Sequence, residues 1–478
     1  MSLTVGSLVY ASCICVLFYI VHPRLRLGLL VVSSLAYIFY LDRYAGVALL
    51  ITSLLAWAFG MLTDRASDHE QYRLSRVLMI IGVALSTAAI ILMKYVTPVL
   101  QGLDSDSVLA RFVIPLGFSY YIFQVISYLV DVQSGRVHAD ASLIRVIFYL
   151  SWFPKFLSGP IERKADMDER IAQIETVSLI DGARWVSVVH YLLIGCLYKI
   201  VMADRIGVYV DKIFELKSGL GSIWLFIGMI LYTFQIYCDF AGYSYAAIGL
   251  SRAFGIDLSE NFKTPYLSQN ITEFWRRWHI TLSNWLKDYI YIPLGGNRKG
   301  QVRKIINTII VFAVCGMWHG ESKNFLVWGL LHGLYSTIDS IAAGKGVKWF
   351  RTGVPGRIIT FLCVAVAWVF FRTESAMSGI RYFVYMFTSG LRLRTFSTDY
   401  LVLFGERSPE IIVIIVSVAV LLIMEIYAYR TDRSVPGIWI DRPYVIRYGV
   451  VAIGVLIILI FGLYGAGYDN QRMIYMQF

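Results

Sequence analysis

At 478 residues, with 58% hydrophobic side chains and a mean hydropathy of +0.64, the chain is excluded from the ordinary water-soluble globular class. Repeated apolar runs of about 15–25 residues predict an all-α polytopic membrane protein, with about ten or eleven crossings plus re-entrant or interfacial pieces. The formal charge of +11, from 43 Lys+Arg against 32 Asp+Glu, reads as cytoplasmic loop bias rather than nucleic-acid binding; attraction of an acidic or phosphorylated donor to the inner face is a second reading.

The opening MSLTVGSLVYASCICVLFYIV has no basic flank and a long apolar run, so a retained first helix is expected rather than a cleaved signal. Helices are predicted near 3–21, 28–41, 44–62 and 77–95. Arg24 and Arg26, then Arg65, Arg73 and Arg76, mark inner loops, while Asp104 and Asp106 mark an outer one. This count places the N-terminus outside. A Tyr- and Phe-rich helix near 112–132 follows. The shorter apolar piece at 142–158 ends in FPKFLSGPIERK, where Pro154, Gly159 and Pro160 interrupt the helix. It reads as a re-entrant or interfacial element on the cytoplasmic side. Helices near 183–201 and 219–238 come next, joined by a loop with Arg205, Lys212 and Lys217. CDFAGYSYAAIGLSRAFG then puts Asp239, Tyr243, Ser244 and Tyr245 at membrane depth. Asp239 is either a satisfied structural acid or part of a cavity wall. The six cysteines lie in apolar stretches without CxxC spacing, which predicts neither a disulfide nor a metal site.

Residues 270–333 carry the most chemistry. Asn270 with Glu273 resembles a capping box and predicts a helix start. At helical spacing, Thr272, Trp275, Arg276, His279, Ser283 and Leu286 share one face, while Phe274, Trp278, Leu282 and Trp285 cover the other. This helix is too charged to span lipid. It either lies at the interface without chemistry or re-enters beside a cavity. The turn from Gly295 to Gly300 carries Arg298 and Lys299, followed by Arg303 and Lys304, and should be cytoplasmic. Two readings stand for it: topological anchoring and a phosphate cradle. The next helices, near 305–318 and 325–343, contain GMWHG and WGLLHG. His332 lies about eight residues beyond the polar break Glu321–Asn324, roughly 12 Å into the bilayer. An ionisable group at that depth points to a functional site, against the plain alternative of a packed, hydrogen-bonded histidine. Trp328 and Tyr335 share its face.

Further spans are predicted near 358–371, 411–428 and 448–465, with a half-buried helix around 378–388. Arg430, Arg433, Arg442 and Arg447 place the last loop inside, and therefore the tail from Ala466 to Phe478 outside. Tyr475 in that tail is read in two ways: an interfacial anchor, or a phenol that transiently accepts an acyl group.

WRRWHITLSNWLKDYIYIPLGGNRKG, GMWHG and WGLLHG together resemble the membrane-bound O-acyltransferase family, especially its bacterial alginate O-acetyltransferase-like branch. DFAGYSYAAIGLSRAFGIDLSENFKTPY, FPKFLSGPIER and the terminal MIYMQF resemble that branch too. The resemblance runs from about residue 110 to the end and is most specific over 230–335. It implies one integral-membrane domain over 1–478 with a central cavity: N-terminal helices in 1–110, a catalytic core in 111–345, and C-terminal helices with an external tail in 346–478. It implies His332 as the essential histidine, His279 as the second polar position, which is His or Asn in the family, and His319 as the additional histidine of WHG. Tyr245 departs from the acid often found after GYS.

The implied activity is transfer of an acyl group, acetyl by analogy, from a cytoplasmic thioester such as acetyl-CoA for O-acetylation of an extracytoplasmic polysaccharide. An esterase-like, SGNH-type partner outside the membrane is implied, in the cytoplasmic membrane of a bacterium. No bound cofactor and no nucleic acid are expected. His332 suits a general base. His279, aided by Arg276 or Asn284, is expected to orient the acyl carbonyl or stabilise the oxyanion, and His319 to guide the acceptor or serve structure. Donor phosphates are expected at Arg298, Lys299, Arg303 and Lys304. D-alanyl or other acyl transfer to an envelope polymer is the alternative within the class. A transporter or channel path lined by Asp239, His279 and His332 is the alternative outside it.

Overall fold

The computed structural model describes residues 5–97, 114–391, 396–404 and 409–463. Tyr475 and the terminal tail, and the loop carrying Asp104 and Asp106, lie outside the described residues. Among the described residues the chain is helical, with no strand. It forms two compact units: residues up to Val188 with Ala247–Ser259, and Val189–Ala246 with the residues from Glu260 onward.

The first unit holds α1 (Val5–Ile20), α2 (Arg26–Leu41), α3 (Arg43–Asp68), α4 (Tyr72–Ile91), α5 (Phe118–Gln133), α6 (Leu143–Ser151) and α7 (Lys164–Gln173). α8 (Gly182–Cys196) contributes to both units, and α9 (Asp204–Glu215) belongs to the second. α10 (Ser222–Ala253) again contributes to both. The second unit continues with α11 (Ile271–Arg277), α12 (Ile280–Leu286), α13 (Gly300–His319), α14 (Lys323–Gly344), α15 (Gly353–Arg372) and α16 (Ala376–Thr388). It ends with α17 (Phe396–Phe404), α18 (Pro409–Thr431), α19 (Gly437–Ile440) and α20 (Tyr444–Phe461). Nine helical segments among the described residues are long and apolar enough to cross a membrane. The chain is thus an all-α polytopic membrane protein.

In the first unit, FPKFLSGP leaves helix α6 and turns, as its prolines and glycine predict. Buried Lys155 ties this turn down by donating to Gln124 Oε1 at 2.5 Å and to the Tyr149 carbonyl at 2.7 Å.

In the second unit the expected loop after residue 201 is absent. Helix continues from α8 through a π-helical stretch, Leu197–Ala203, into α9. The charges that read as a loop are satisfied in place, Arg205 by Glu410 and Lys212 by the Leu403 carbonyl at 3.1 Å, and so are those beside them. Lys199 pairs with Asp239 at 2.6 Å and Asp204 at 2.8 Å. Asp239 therefore stands as an ion-paired acid. α10 also runs past the expected end near 238, because Gly242 lets it lie against α8. A Cβ there would come within 2.9 Å of the Gly195 carbonyl oxygen.

α13 and α14 cross through the glycines of GMWHG and GLLHG. A Cβ on Gly329 would collide with the Phe312 carbonyl oxygen, and one on Gly316 with that of Phe325. Two small-xxx-small patterns thus bring two backbones into contact, which is how helices associate where lipid offers no hydrophobic drive. His332 follows Gly329 by three residues, so this crossing fixes its place.

Candidate active site

The site is built in the second unit around α11, α12, α13 and α14. Asn270 caps α11 as expected, its Oδ1 accepting from Glu273 N at 2.9 Å. Glu273 reaches back to Gln269 N at 2.8 Å, one residue earlier than a capping box requires.

The continuous amphipathic helix expected from 270 to 286 is not found. α11 stops at Arg277, Trp278 is extended, and His279 is left-handed with φ 42°. The reason lies upstream, in Asn261. Its carbonyl accepts from Ile280 N at 3.0 Å, and its Oδ1 accepts from Thr281 Oγ1 at 2.6 Å and Thr281 N at 3.3 Å. These bonds compete successfully with helical ones and absorb the strain of a non-glycine residue at positive φ. His279 is 1% exposed, its ring set edge-on to Phe240 at 4.8 Å. Outside the spanning helices, burial alone pushes His279 down to about 3, so it is neutral at ordinary pH.

His332 is fully buried, and neither ring nitrogen has a hydrogen-bond partner within the protein. Trp275 and Trp328 each stand 5.0 Å from its ring, and Phe274 stacks on it at 6.0 Å. Phe312 closes another side at 6.2 Å. Trp275 and Phe312 also wall a cavity of about 750 Å³. The cavity's polar lining includes Arg276, Asn284, Lys287, Lys304, Ser336 and Arg351. Ser336, Ser340 and Ala343 continue the His332 stripe at helical spacing, so the cavity follows α14 toward its C-terminal end.

Three expected site residues, Arg276, Asn284 and Lys304, therefore share one cavity, and His332 sits behind its aromatic wall. His279 is not in ring contact with His332; the rings between them run from His332 through stacked Phe274 and Trp278, then edge-on through Phe240 to His279. Arg298, Lys299 and Arg303 are exposed and line no part of the cavity. Asp239 is held by Lys199, away from the cavity lining. Buried His319 meets Trp328 at 5.1 Å, so that indole separates the two histidines of α13 and α14.

Sequence reasoning missed Asp339 and Arg351. Asp339, 4% exposed, accepts from Thr272 Oγ1 at 2.5 Å and Thr272 N at 3.2 Å, and pairs with Arg351. It locks α11 onto α14 below the cavity. Its position seven residues after His332, on the same helical face, was the available signal. A grouping of Asp64, Asp68 and His138 in the first unit is largely exposed. Asp64 accepts from Ala139 N and pairs with His138, so the group carries no metal assignment.

A hydroxyl acceptor and an activated acyl group meeting at His332 could exchange the acyl group out of reach of water. The sequence model of the membrane-bound O-acyltransferase family matches residues 74–379. The chain is 33% identical over 390 residues to the probable alginate O-acetylase of Pseudomonas syringae pv. tomato, covering 78% of this chain and 72% of that one. It is 30% identical over 388 residues to the peptidoglycan O-acetyltransferase of Helicobacter pylori, with coverages of 74% and 72%. The teichoic acid D-alanyltransferase of Bacillus subtilis is 29% identical over 272 residues, covering 53% of this chain and 66% of that relative.

Proposed function

The chain belongs to the membrane-bound O-acyltransferase family and is an O-acyltransferase, and from that premise we propose that it moves an acetyl group from acetyl-CoA to an extracytoplasmic polysaccharide. The thioester enters the cavity from the cytoplasm, its phosphates drawn to Arg276 and Lys304. A partner protein outside the membrane passes the group to the glycan. The protein sits in a bacterial cytoplasmic membrane, with both termini outside.

His332 is the observation that carries this reading. It is buried, its nitrogens are uncommitted within the protein, and it shares the wall residues Trp275 and Phe312 with a basic cavity. A neutral imidazole accepts the proton of an attacking hydroxyl and returns it to the leaving thiolate. His279 stands further off, against Phe240, and acts on the acyl group through the placement of α11 and α12.

The test is acetyl transfer by purified protein with labelled acetyl-CoA. His332→Ala should lower turnover by about 100-fold or more, the range of a lost general base, while the protein stays folded and inserted. His279→Ala should be severe with residual activity. A well-folded His332→Ala protein that acetylates at the parental rate would sink the assignment. Faster turnover of a D-alanyl thioester than of acetyl-CoA would move the donor, leaving the site in place.

A further inference from the structure

We propose that the indole N–H groups of Trp275 and Trp328 hold the thioester carbonyl oxygen and the oxyanion it becomes. This deepens the acyl-transfer reading of His332 and rests on it. Both Nε1 atoms are buried and have no hydrogen-bond partner within the protein. Trp152 donates to Ser251 Oγ at 2.9 Å, while Trp368 and Trp439 also keep unpaired buried N–H groups, so it is the place beside His332 that sets Trp275 and Trp328 apart. Buried donors are rarely left unpaired, and an acceptor supplied by a ligand satisfies them.

Their placement puts both indoles beside the base. Trp275 and Trp328 each stand 5.0 Å from the His332 ring, at 82° and 67°, and 6.0 Å from each other. The three rings form a triangle with one base and two neutral donors. Trp275 also lines the basic cavity, with Trp328 and His332 directly behind that wall. Trp368 lies behind Trp328, stacked on it at 5.5 Å and 6.1 Å from the His332 ring, and is not part of the pair. His279 meets Phe240 instead, and Arg276 lies exposed on the cavity.

The chemistry balances with these groups. The acceptor hydroxyl oxygen bonds to the carbonyl carbon, and its proton passes to a ring nitrogen of His332. The carbonyl π pair moves onto oxygen, where the two N–H groups hold it. On collapse the C=O re-forms, the C–S bond breaks, and the thiolate takes the proton from His332. Fixed neutral dipoles at that oxygen strengthen as charge develops, so they act on kcat. A cation on the phosphates binds donor and transition state alike.

The experiment replaces each indole by its sulfur isostere. 3-Benzothienylalanine is incorporated at 275 or 328 of the full chain, which keeps the ring shape and removes only the N–H. Acetyl-CoA turnover is measured alongside the affinity for a non-transferable thioether analogue of acetyl-CoA. Each isostere should lower kcat by about tenfold or more, toward the roughly 100-fold of a lost oxyanion donor. Analogue affinity should stay within about twofold. Trp275→Phe and Trp328→Phe should show the same split. Parental kcat in both isosteres overturns the assignment while leaving acyl transfer and the His332→Ala effect intact. Failure of the parental protein to turn over acetyl-CoA removes the functional reading, and this proposal with it.

Discussion

Arg276 and Lys304 face the same cavity, and neither has a carboxylate partner among the described residues. Lys287 and Arg351, on the same walls, are paired with Asp288 and Asp339. An uncommitted cation attracts a phosphate more strongly than one already neutralised. At an effective dielectric near 20, unit charges 4 Å apart interact by about 4 kcal/mol, and by about 1 kcal/mol in bulk water. Arg276→Glu or Lys304→Glu should therefore raise the KM for acetyl-CoA by about tenfold at low salt, with kcat less changed. The effect should shrink toward 1 M salt, where the screening length is about 3 Å. The same reversal at Arg298, Lys299 or Arg303, which stay off the cavity, should do less. A KM indifferent to Lys304→Glu at low ionic strength would leave the basic turn as topological anchoring alone.

The contact of α13 with α14 makes its prediction at the level of the helix pair. Gly329→Ala drives a Cβ into the Phe312 carbonyl, which belongs to backbone and cannot step aside. The helices must separate, at about 1–3 kcal/mol for overpacking, and His332 moves with α14. Melting in detergent should fall and acetyl transfer with it, whereas Gly344→Ala, with nothing within 4 Å, serves as the control. A Gly329→Ala protein that melts like the parent would refute the crossing. The ionisable group in an apolar run and the Asn270 cap were legible as local patterns; the glycines at i and i+4 were visible too, but the crossing they make emerged only with the structure. The break at His279 was not legible. WRRWHITLSNW keeps an unbroken helical period, and the residue that overrules it, Asn261, acts through tertiary hydrogen bonds. Likewise Arg205 and Lys212 look like loop residues until Glu410 and the Leu403 carbonyl are placed beside them. The cavity's anchor, Asp339, was spaced correctly on the helix but had no visible partner before Thr272 and Arg351 were placed.

At the scale of the molecule, the distribution of arginine and lysine sets which side is which. Arg433→Cys, in the loop between α18 and α20, should resist a membrane-impermeant maleimide added to intact cells. Arg43→Cys, at the start of α3, should react, each in a chain lacking the six native cysteines. Labelling of residue 433 from outside would invert the protein and turn the basic cavity away from the cytoplasm. The Lys199–Asp204–Asp239 cluster reaches further back, into how this protein is made. A charge near the centre of a lone inserting helix is disfavoured by roughly 2.5–3.5 kcal/mol on insertion scales. The segment Gly182–Glu215 would carry two such charges and Ser222–Ala253 another. Held together they form buried ion pairs; released one at a time, each would meet lipid alone. The two segments should therefore wait for each other at the translocon and partition into the bilayer as a single hairpin, so that assembly of this charge cluster belongs to biosynthesis before it belongs to the finished enzyme.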